Sequence, residues 1–385
     1  MVDYENEVKK YLDTLSAPNI AIIGLTGVGK SSLINKIFGN NIADAGAGRA
    51  VTTEYTKYSP NAFDIIDLPV NLYDSPGYEP GNEQEYFVKK TIDFLKEKSR
   101  QGKKEQIHLI WYVISASAAR LTQFDIDILE EINRNHIPAI IVLSKYDIAQ
   151  PHEKEEVKKV IEEYGFNRVY KIVEVAADPL TLANGSQICE PFGMKELVNL
   201  TTELLPQIYL DAFIAAQIVD IESKRELAWK YVREASIGCF SVGATPIPLT
   251  APSATIAALS YMYNRIIVLY GHSNRGLLLA ISGITLGGVL TIVTDGLIDL
   301  FSLTFPGISI LTGGSAATFT AVSGMAFTNT CEILAIEKLT GTETEIQQKL
   351  REIFQEQFGK YSSLRISTPD DLDRMRKDFI DNNKM

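Results

Sequence analysis

The stretch Gly-Leu-Thr-Gly-Val-Gly-Lys-Ser at 24–31 fits G-x-x-x-x-G-K-[ST], and its residue types suit one chemistry, the holding of a nucleotide's phosphates. Gly24, Gly27 and Gly29 let the backbone curl until its N–H groups face phosphate oxygens, with Thr26, Val28 and Ser32 completing the candidate cradle. The helix that follows adds the positive end of its dipole. Lys30 can reach the β- and γ-phosphates, and the Ser31 hydroxyl suits Mg²⁺. Asp74 ends the apolar run Val-Asn-Leu-Tyr, where a carboxylate can hold Mg²⁺ through a water opposite Ser31. Gly77 follows, with a backbone N–H able to approach a γ-phosphate. Between these motifs, Gly-Arg-Ala-Val-Thr-Thr-Glu (48–54) carries a hydroxyl that would complete the metal shell. Thr53 is the candidate, and spacing does not separate it from Thr52. The chemistry implied is in-line attack of water on the γ-phosphate, with Lys30, Thr53 and Gly77 as the catalytic set and Lys30 and Mg²⁺ stabilising the developing charge.

Such residues need strand ends and helix starts to hold them. The phosphate motif lies directly after the strand-like Ile-Ala-Ile-Ile and directly before the helical Ser-Ser-Leu-Ile-Asn-Lys-Ile-Phe. Further apolar runs (FDIIDL, VNLYD, IHLIWYVI, AIIVLS, KIVEV) read as strands, several of them buried on both faces of a mainly parallel sheet. Helical periodicity occupies 30–38, 83–100, 122–135, 152–164 and 192–204 between them. The spacing predicts an α/β domain over 17–205, with helices on both faces of the sheet. Val8, Leu12 and Leu15 recur at helical spacing and predict a helix over 1–16. An all-helical domain is expected over 206–360, with a polar tail over 361–385.

Composition narrows the function. Net charge is −11, and such an excess of carboxylates repels phosphate backbones, which disfavours broad RNA or DNA binding. Cys189, Cys239 and Cys331 are widely spaced, without Cys-x-x-Cys, which points to a reducing compartment and away from a zinc site. The N-terminal MVDYENEVKKYLDTL is charged and amphipathic, unlike a secretory leader, and the expected location is the cytoplasm. From Ala235 to Cys331 the Asp, Glu, Lys and Arg residues are Arg265, Arg275, Asp295 and Asp299 alone. Residues 276–294 are long enough to span a bilayer, and a second apolar run follows over 300–327. Dense glycines and hydroxyls, Pro306 and the lack of flanking Lys or Arg clusters favour a buried helical core, with membrane association as the competing expectation.

GLTGVGKSSLINKIFG, VTTE, DSPG and SKYD, in this order and spacing, resemble a P-loop GTPase of the translation-factor-related class, in its Era-like and septin-like branch. The resemblance implies an α/β P-loop GTPase domain joined to an all-helical C-terminal domain that packs against the N-terminal helix. QIHLIWYVISASAARLTQFDIDILEEI is similar to bacterial and fungal GTPases with a glycine-rich helical domain. GATPIPLTAPSATIAALSYMYNRIIVLYG looks like the helical domain of immunity-related GTPases. In such proteins [NT]-K-x-D reads guanine: the Asp accepts from N1 and N2, and the Lys stem packs over the base. Adenine lacks that donor pair, so a carboxylate there disfavours it. Ser144, Lys145 and Asp147 match the element, with serine in place of Asn or Thr. The resemblance puts Ala176 where a serine normally stands and gives Ala177 the N–H over guanine O6. Gly27 stands where some Era-like enzymes keep an Asn that coordinates K⁺, so potassium activation is not supported.

Tyr78 occupies the position where many such enzymes keep a glutamine that orients water, and a phenol lacks the amide's paired donor and acceptor. Slow intrinsic turnover is therefore expected, with the missing group supplied by backbone, a partner or a second copy of the chain. Arg49 is a weaker candidate for an arginine finger. The resemblance implies GTP and GDP as ligands, self-association through the nucleotide face, and for several relatives a membrane surface or effector. The leading expectation is a GTP-hydrolysing switch. Ribosome assembly is an alternative, disfavoured by the acidic charge, as is a GTPase domain fused to a membrane-embedded hairpin.

Overall fold

The computed structural model of the chain describes residues 10–39, 42–43, 54–59, 61–62, 66–67, 69–76, 84–118, 121–165, 169–243, 250–270, 313–336 and 343–381. They group into two compact units: Leu15–Asn61 with Asp67–Asp220, and Met1–Thr14 with Ala62–Ile66 and Ile221–Met385.

The first unit is built on β1 (Asn19–Ile23), β2 (Thr56–Tyr58), β5 (Asn71–Asp74), β6 (Leu109–Ser115), β7 (Ala139–Ser144) and β8 (Val169–Glu174). Two short strands, β3 (Asn61–Ala62) and β4 (Ile66–Asp67), pair separately. The sheet order is β2-β5-β1-β6-β7-β8, and every pairing is parallel except the edge strand β2, which runs antiparallel to β5. β1 and β7 are buried at every residue, as their uninterrupted apolar sequences require when helices cover both faces. The helices of this unit are α1 (Lys30–Phe38), α2 (Gln84–Arg100), α3 (Gln123–Arg134), α4 (Pro151–Tyr164), α5 (Met194–Leu204) and α6 (Gln207–Ala216). Ala21, Ile23, Tyr112 and Ile141 point towards one core with Phe87, Phe124, Ile128 and Val157. Register aligns Ile22 with Asp74 and with Trp111, and Ser115 with Ser144, so β1 and β5 end together while β6 and β7 run on past them at the same carboxyl edge. In an open parallel sheet, that edge is where ligands bind.

The boundary between units differs from the sequence reading. The break after Leu205 suggests a domain end, yet α6 belongs with the sheet. Phe213 is fully buried with its ring 6.0 Å from Phe38, which itself stacks 6.0 Å from Trp111. The Ile218 N–H then donates to the Ile37 carbonyl at 2.8 Å, and Gln217 caps the turn by accepting from the N–H groups of Val219 and Asp220.

The second unit holds α7 (Ile221–Gly243), α8 (Thr250–Tyr270), α9 (Gly313–Ile336), α10 (Glu343–Tyr361) and α11 (Asp371–Asp381). α9 packs against α7, α8 and α10. It is buried at every residue from 315 to 332, which its all-round apolar and small composition allows. Its threonines 318, 328 and 330 donate to carbonyls one turn back, so no hydroxyl is stranded. A Cβ at Gly324 would lie 2.6 Å from Val232 Cγ2 and 2.5 Å from Met262 Sδ, so glycine sets how closely α7 and α8 approach. Arg225 pairs with Glu332 in this core at 2.6 Å. The segment expected as a polar tail contains α11, whose Phe379 is fully buried 5.8 Å from Trp229 and 6.4 Å from Tyr361. Leu372, Met375 and Phe379 make one narrow stripe in a strongly charged sequence, which is why composition alone hides it.

Among the described residues no helix is long and apolar enough to cross a membrane. The later half of the second apolar run lies within α9, in the core of its unit, whereas 276–294 lies outside the described residues.

Candidate functional site

Residues 24–29 leave the end of β1 and turn into α1 at the carboxyl edge of the sheet. Gly24 is fixed by a close approach: a Cβ there would lie 2.3 Å from the Val113 carbonyl oxygen of β6. Gly27 and Gly29 take φ of 75° and 99°, in the left-handed region that side chains resist. The Gly29 turn presents the first residues of α1, Lys30, Ser31 and Ser32, at a helix N-terminus whose N–H groups are unclaimed by the helix. Thr26 and Gly27 are exposed at the lip of the loop and Val28 is buried beneath it.

Lys30 is buried, and its ammonium donates to the carbonyls of Gly24 at 2.9 Å and Leu25 at 3.2 Å. Asp74 Oδ1 lies 3.9 Å from Lys30 Nζ, beyond hydrogen-bond reach, and accepts no hydrogen bond. Burial pushes the Asp74 carboxyl up from 3.8 to about 6, with the Lys30 charge opposing. Burial also lowers the Lys30 pKa, with Asp74 opposing. The site therefore holds a buried carboxylate oxygen without a hydrogen-bond donor, beside a cation that only partly compensates it. That donor set fits a divalent metal approached through water.

Ser75, which the sequence reading passed over, braces the loop. Its hydroxyl lies 3.3 Å from both the Gly24 nitrogen and the Gly24 carbonyl oxygen, and its N–H donates to Ile22. A single serine between two nominated residues carries no pattern of its own. Tyr55 is a second such residue. It lies immediately after the 48–54 stretch that carries Thr53, stacks 3.7 Å from Phe94 of α2 and donates to Thr91 at 3.1 Å. Thr52, Thr53, Gly77, Tyr78 and Arg49 lie outside the described residues.

The candidate base loop starts at the end of β7. The buried Ser144 hydroxyl lies 2.6 Å from the Val28 carbonyl oxygen and 3.0 Å from that of Ile114, tying this loop to the phosphate loop and to β6. Lys145 is exposed with φ of 52°, a left-handed backbone that is uncommon for a residue with a side chain. Asp147 is half-buried and accepts from the Leu180 N–H at 2.9 Å. Ala176 exchanges both backbone hydrogen bonds with Phe192 at 3.1 Å, which commits its own N–H, and Ala177 follows it, buried. The structure thus brings Lys30 and Asp74 together, ties Ser144 to Val28, and places Asp147 and Ala176 on the loops after adjacent strands.

Residues 19–145 match the family model described as a 50S ribosome-binding GTPase. The chain is 22% identical over 244 residues to Cell division control protein 10 of Saccharomyces cerevisiae, covering 56% of this chain and 74% of that one. It is 29% identical over 213 residues to GTPase Era of Caldicellulosiruptor saccharolyticus, covering 52% of this chain and 63% of that one. A solved structure of Era from Aquifex aeolicus is 18% identical, with a TM-score of 0.36, over 62% of this chain and 71% of that one. The GTPase family match thus falls on the residues that carry the glycine loop and Asp74, and GTPase Era, GTPase Der and Septin CDC11 are among the proteins to which the chain is similar.

Proposed function

We propose that the chain is a nucleotide-dependent switch that hydrolyses GTP to GDP and phosphate, with self-association and membrane contact as the events its nucleotide state controls. The observation that carries this reading is the buried pair Lys30 and Asp74 at the foot of the glycine loop, with Asp74 Oδ1 lacking a hydrogen-bond donor. Lys30 holds the β- and γ-phosphates, and backbone N–H groups of residues 24–32 orient them. Ser31 and Thr53 would hold Mg²⁺ directly and Asp74 through water. Mg²⁺ held there would neutralise the charge that develops on the transferred phosphate. Asp147 accepts hydrogen bonds from the N1 and N2 N–H groups of guanine, the Lys145 stem covers the base, and the Ala177 N–H donates to O6. The Gly77 N–H senses the γ-phosphate. A second copy of the chain supplies what Tyr78 lacks for orienting water. The family description names a ribosome-binding class, but a net charge of −11 weighs against RNA as the partner and equally against unaided adhesion to anionic lipid, so membrane contact rests on the apolar helical unit.

The test is the specific GTPase rate against protein concentration, run with wild type and Lys30→Ala. A rate per molecule that rises with concentration, and loss of GTP binding in Lys30→Ala, are expected. Wild-type GTP affinity in Lys30→Ala would sink the site assignment, and a flat rate would remove self-association from the mechanism.

A further inference from the structure

The connection from β8 to α5 is longer than a turn requires and folds into a small hairpin. Leu182 donates to Ser186 at 2.8 Å, Gly185 to Leu182 at 2.9 Å and Ile188 to Leu180 at 3.0 Å, and the Ala176–Phe192 pair closes the foot. Within it the two backbone groups of Leu180 face different ways. Its carbonyl serves the hairpin ladder, while its N–H donates to Asp147 Oδ2 at 2.9 Å. The hairpin also grips the neighbouring residue. The Phe192 ring meets Tyr146 edge-on at 6.4 Å, and the Tyr146 N–H donates to Val175 at 3.2 Å.

We infer that the Leu180 N–H is a positioning group for base recognition, holding the Asp147 carboxylate in the orientation that accepts guanine. The inference rests on the assignment of Asp147 as the guanine acceptor and deepens it. An ionised carboxylate offers roughly four acceptor sites, so one N–H on Oδ2 leaves room for both guanine donors. Without that N–H, a half-exposed Asp side chain turns about two bonds and must be ordered when the base arrives, which weakens binding. The segment that follows β8 carries alanine at 176 and so has no side-chain hydroxyl there to do this work. A backbone donor on a braced hairpin does it instead. Orientation matters most for the second donor, the exocyclic amine that guanine has and hypoxanthine lacks. The ratio of GDP to IDP affinity therefore reads it directly.

The experiment measures GDP, IDP and ADP binding by calorimetry for wild type, Leu180→Ala, Leu180→Pro, Asp147→Ala and the Leu180→Pro/Asp147→Ala double variant, each checked for cooperative melting. Leu180→Pro removes the N–H and is expected to weaken GDP about tenfold, the scale of one hydrogen bond to a charged group. The GDP:IDP ratio falls with it, while Leu180→Ala, which keeps the N–H, behaves as wild type. In the Asp147→Ala background Leu180→Pro adds no further loss, because the two act as one unit. An unchanged GDP:IDP ratio in Leu180→Pro, or an equal loss in both backgrounds, overturns the inference. If Leu180→Pro does not fold, replacement of Leu182–Ser186 by two glycines loosens the donor instead, and an unchanged ratio there overturns it equally. Failure of the underlying reading looks different: wild type would not distinguish GDP from ADP, or Asp147→Ala would bind GDP normally.

Discussion

The Asp74 carboxylate is held at a cost to the fold, and replacing it with its neutral isostere should stabilise the nucleotide-free protein while impairing function. In the folded chain its pKa is pushed up from 3.8 to about 6. At roughly 1.4 kcal/mol per pKa unit, that rise means the ionised group costs on the order of 3 kcal/mol at neutral pH, a figure already net of Lys30. Asp74→Asn removes the charge but sets an amide beside Lys30, so about half of that, ~1–2 kcal/mol, should be recovered. For a unit of this size the gain corresponds to a Tm rise of roughly 3–6 °C. The pH dependence follows from the sign of the shift. A carboxyl whose folded pKa is raised contributes stability that is fully present below about 3.8 and is lost as pH rises through about 6. The advantage of Asp74→Asn should therefore be largest above pH 7 and shrink towards zero as pH falls to 4. Urea unfolding of both proteins without nucleotide, at half-unit steps from pH 4 to 8, measures this difference free of other titrating groups. Added Mg²⁺ and GDP should then stabilise wild type more than the variant. A variant no more stable than wild type at pH 7.5, or a gap that widens on acidification, refutes the account of Asp74 as a buried, undercompensated anion.

Two further outcomes follow from the packing. Ser144→Ala removes the hydroxyl shared by the Val28 and Ile114 carbonyls, and should weaken GDP binding about tenfold through loss of about 1.5 kcal/mol of hydrogen bonding, measured by fluorescent-nucleotide titration. Phe379→Ala empties a fully buried ring site between Trp229 and Tyr361, and should destabilise the helical unit by ~3–5 kcal/mol in denaturant melts and expose α11 to hydrogen exchange.

What could be read from residue order was what the chain does locally. Gly24 to Ser31 form a loop ending in a helix because glycines, lysine and serine must follow one another within a few residues to do so. Strands such as Ala139–Ser144 are legible because burial on both faces demands an unbroken apolar run. Ser75, Tyr55 and Leu180 were not legible, for a physical reason. Ser75 and Tyr55 act through contacts with residues distant in sequence, and Leu180 acts through its backbone N–H, which every residue but proline possesses. The docking of α6 was hidden similarly. Pro206 reads as a break, whereas Phe213 meeting Phe38 and Trp111 is a tertiary event that no local pattern announces.

The same contacts bear on how a serine can stand where relatives keep asparagine or threonine. Ser144 reaches the Val28 carbonyl inside the phosphate loop, and Ser75 reaches Gly24 at that loop's start. The Gly24 position itself leaves no space for a Cβ against Val113. The loop expected to hold phosphates is thus pinned by two hydroxyls, one just past the end of β5 and one at the end of β7. A hydroxyl keeps this tie because one O–H can be shared between the Val28 and Ile114 carbonyls, both within reach. The substitution therefore keeps the tie between base loop and phosphate loop while giving up reach. Asp147, one turn further on, takes its support from the Leu180 hairpin. On the proposed reading, guanine specificity depends on a segment that carries no base-reading side chain, and sequence changes over 178–192 should alter nucleotide selectivity before they alter the phosphate chemistry.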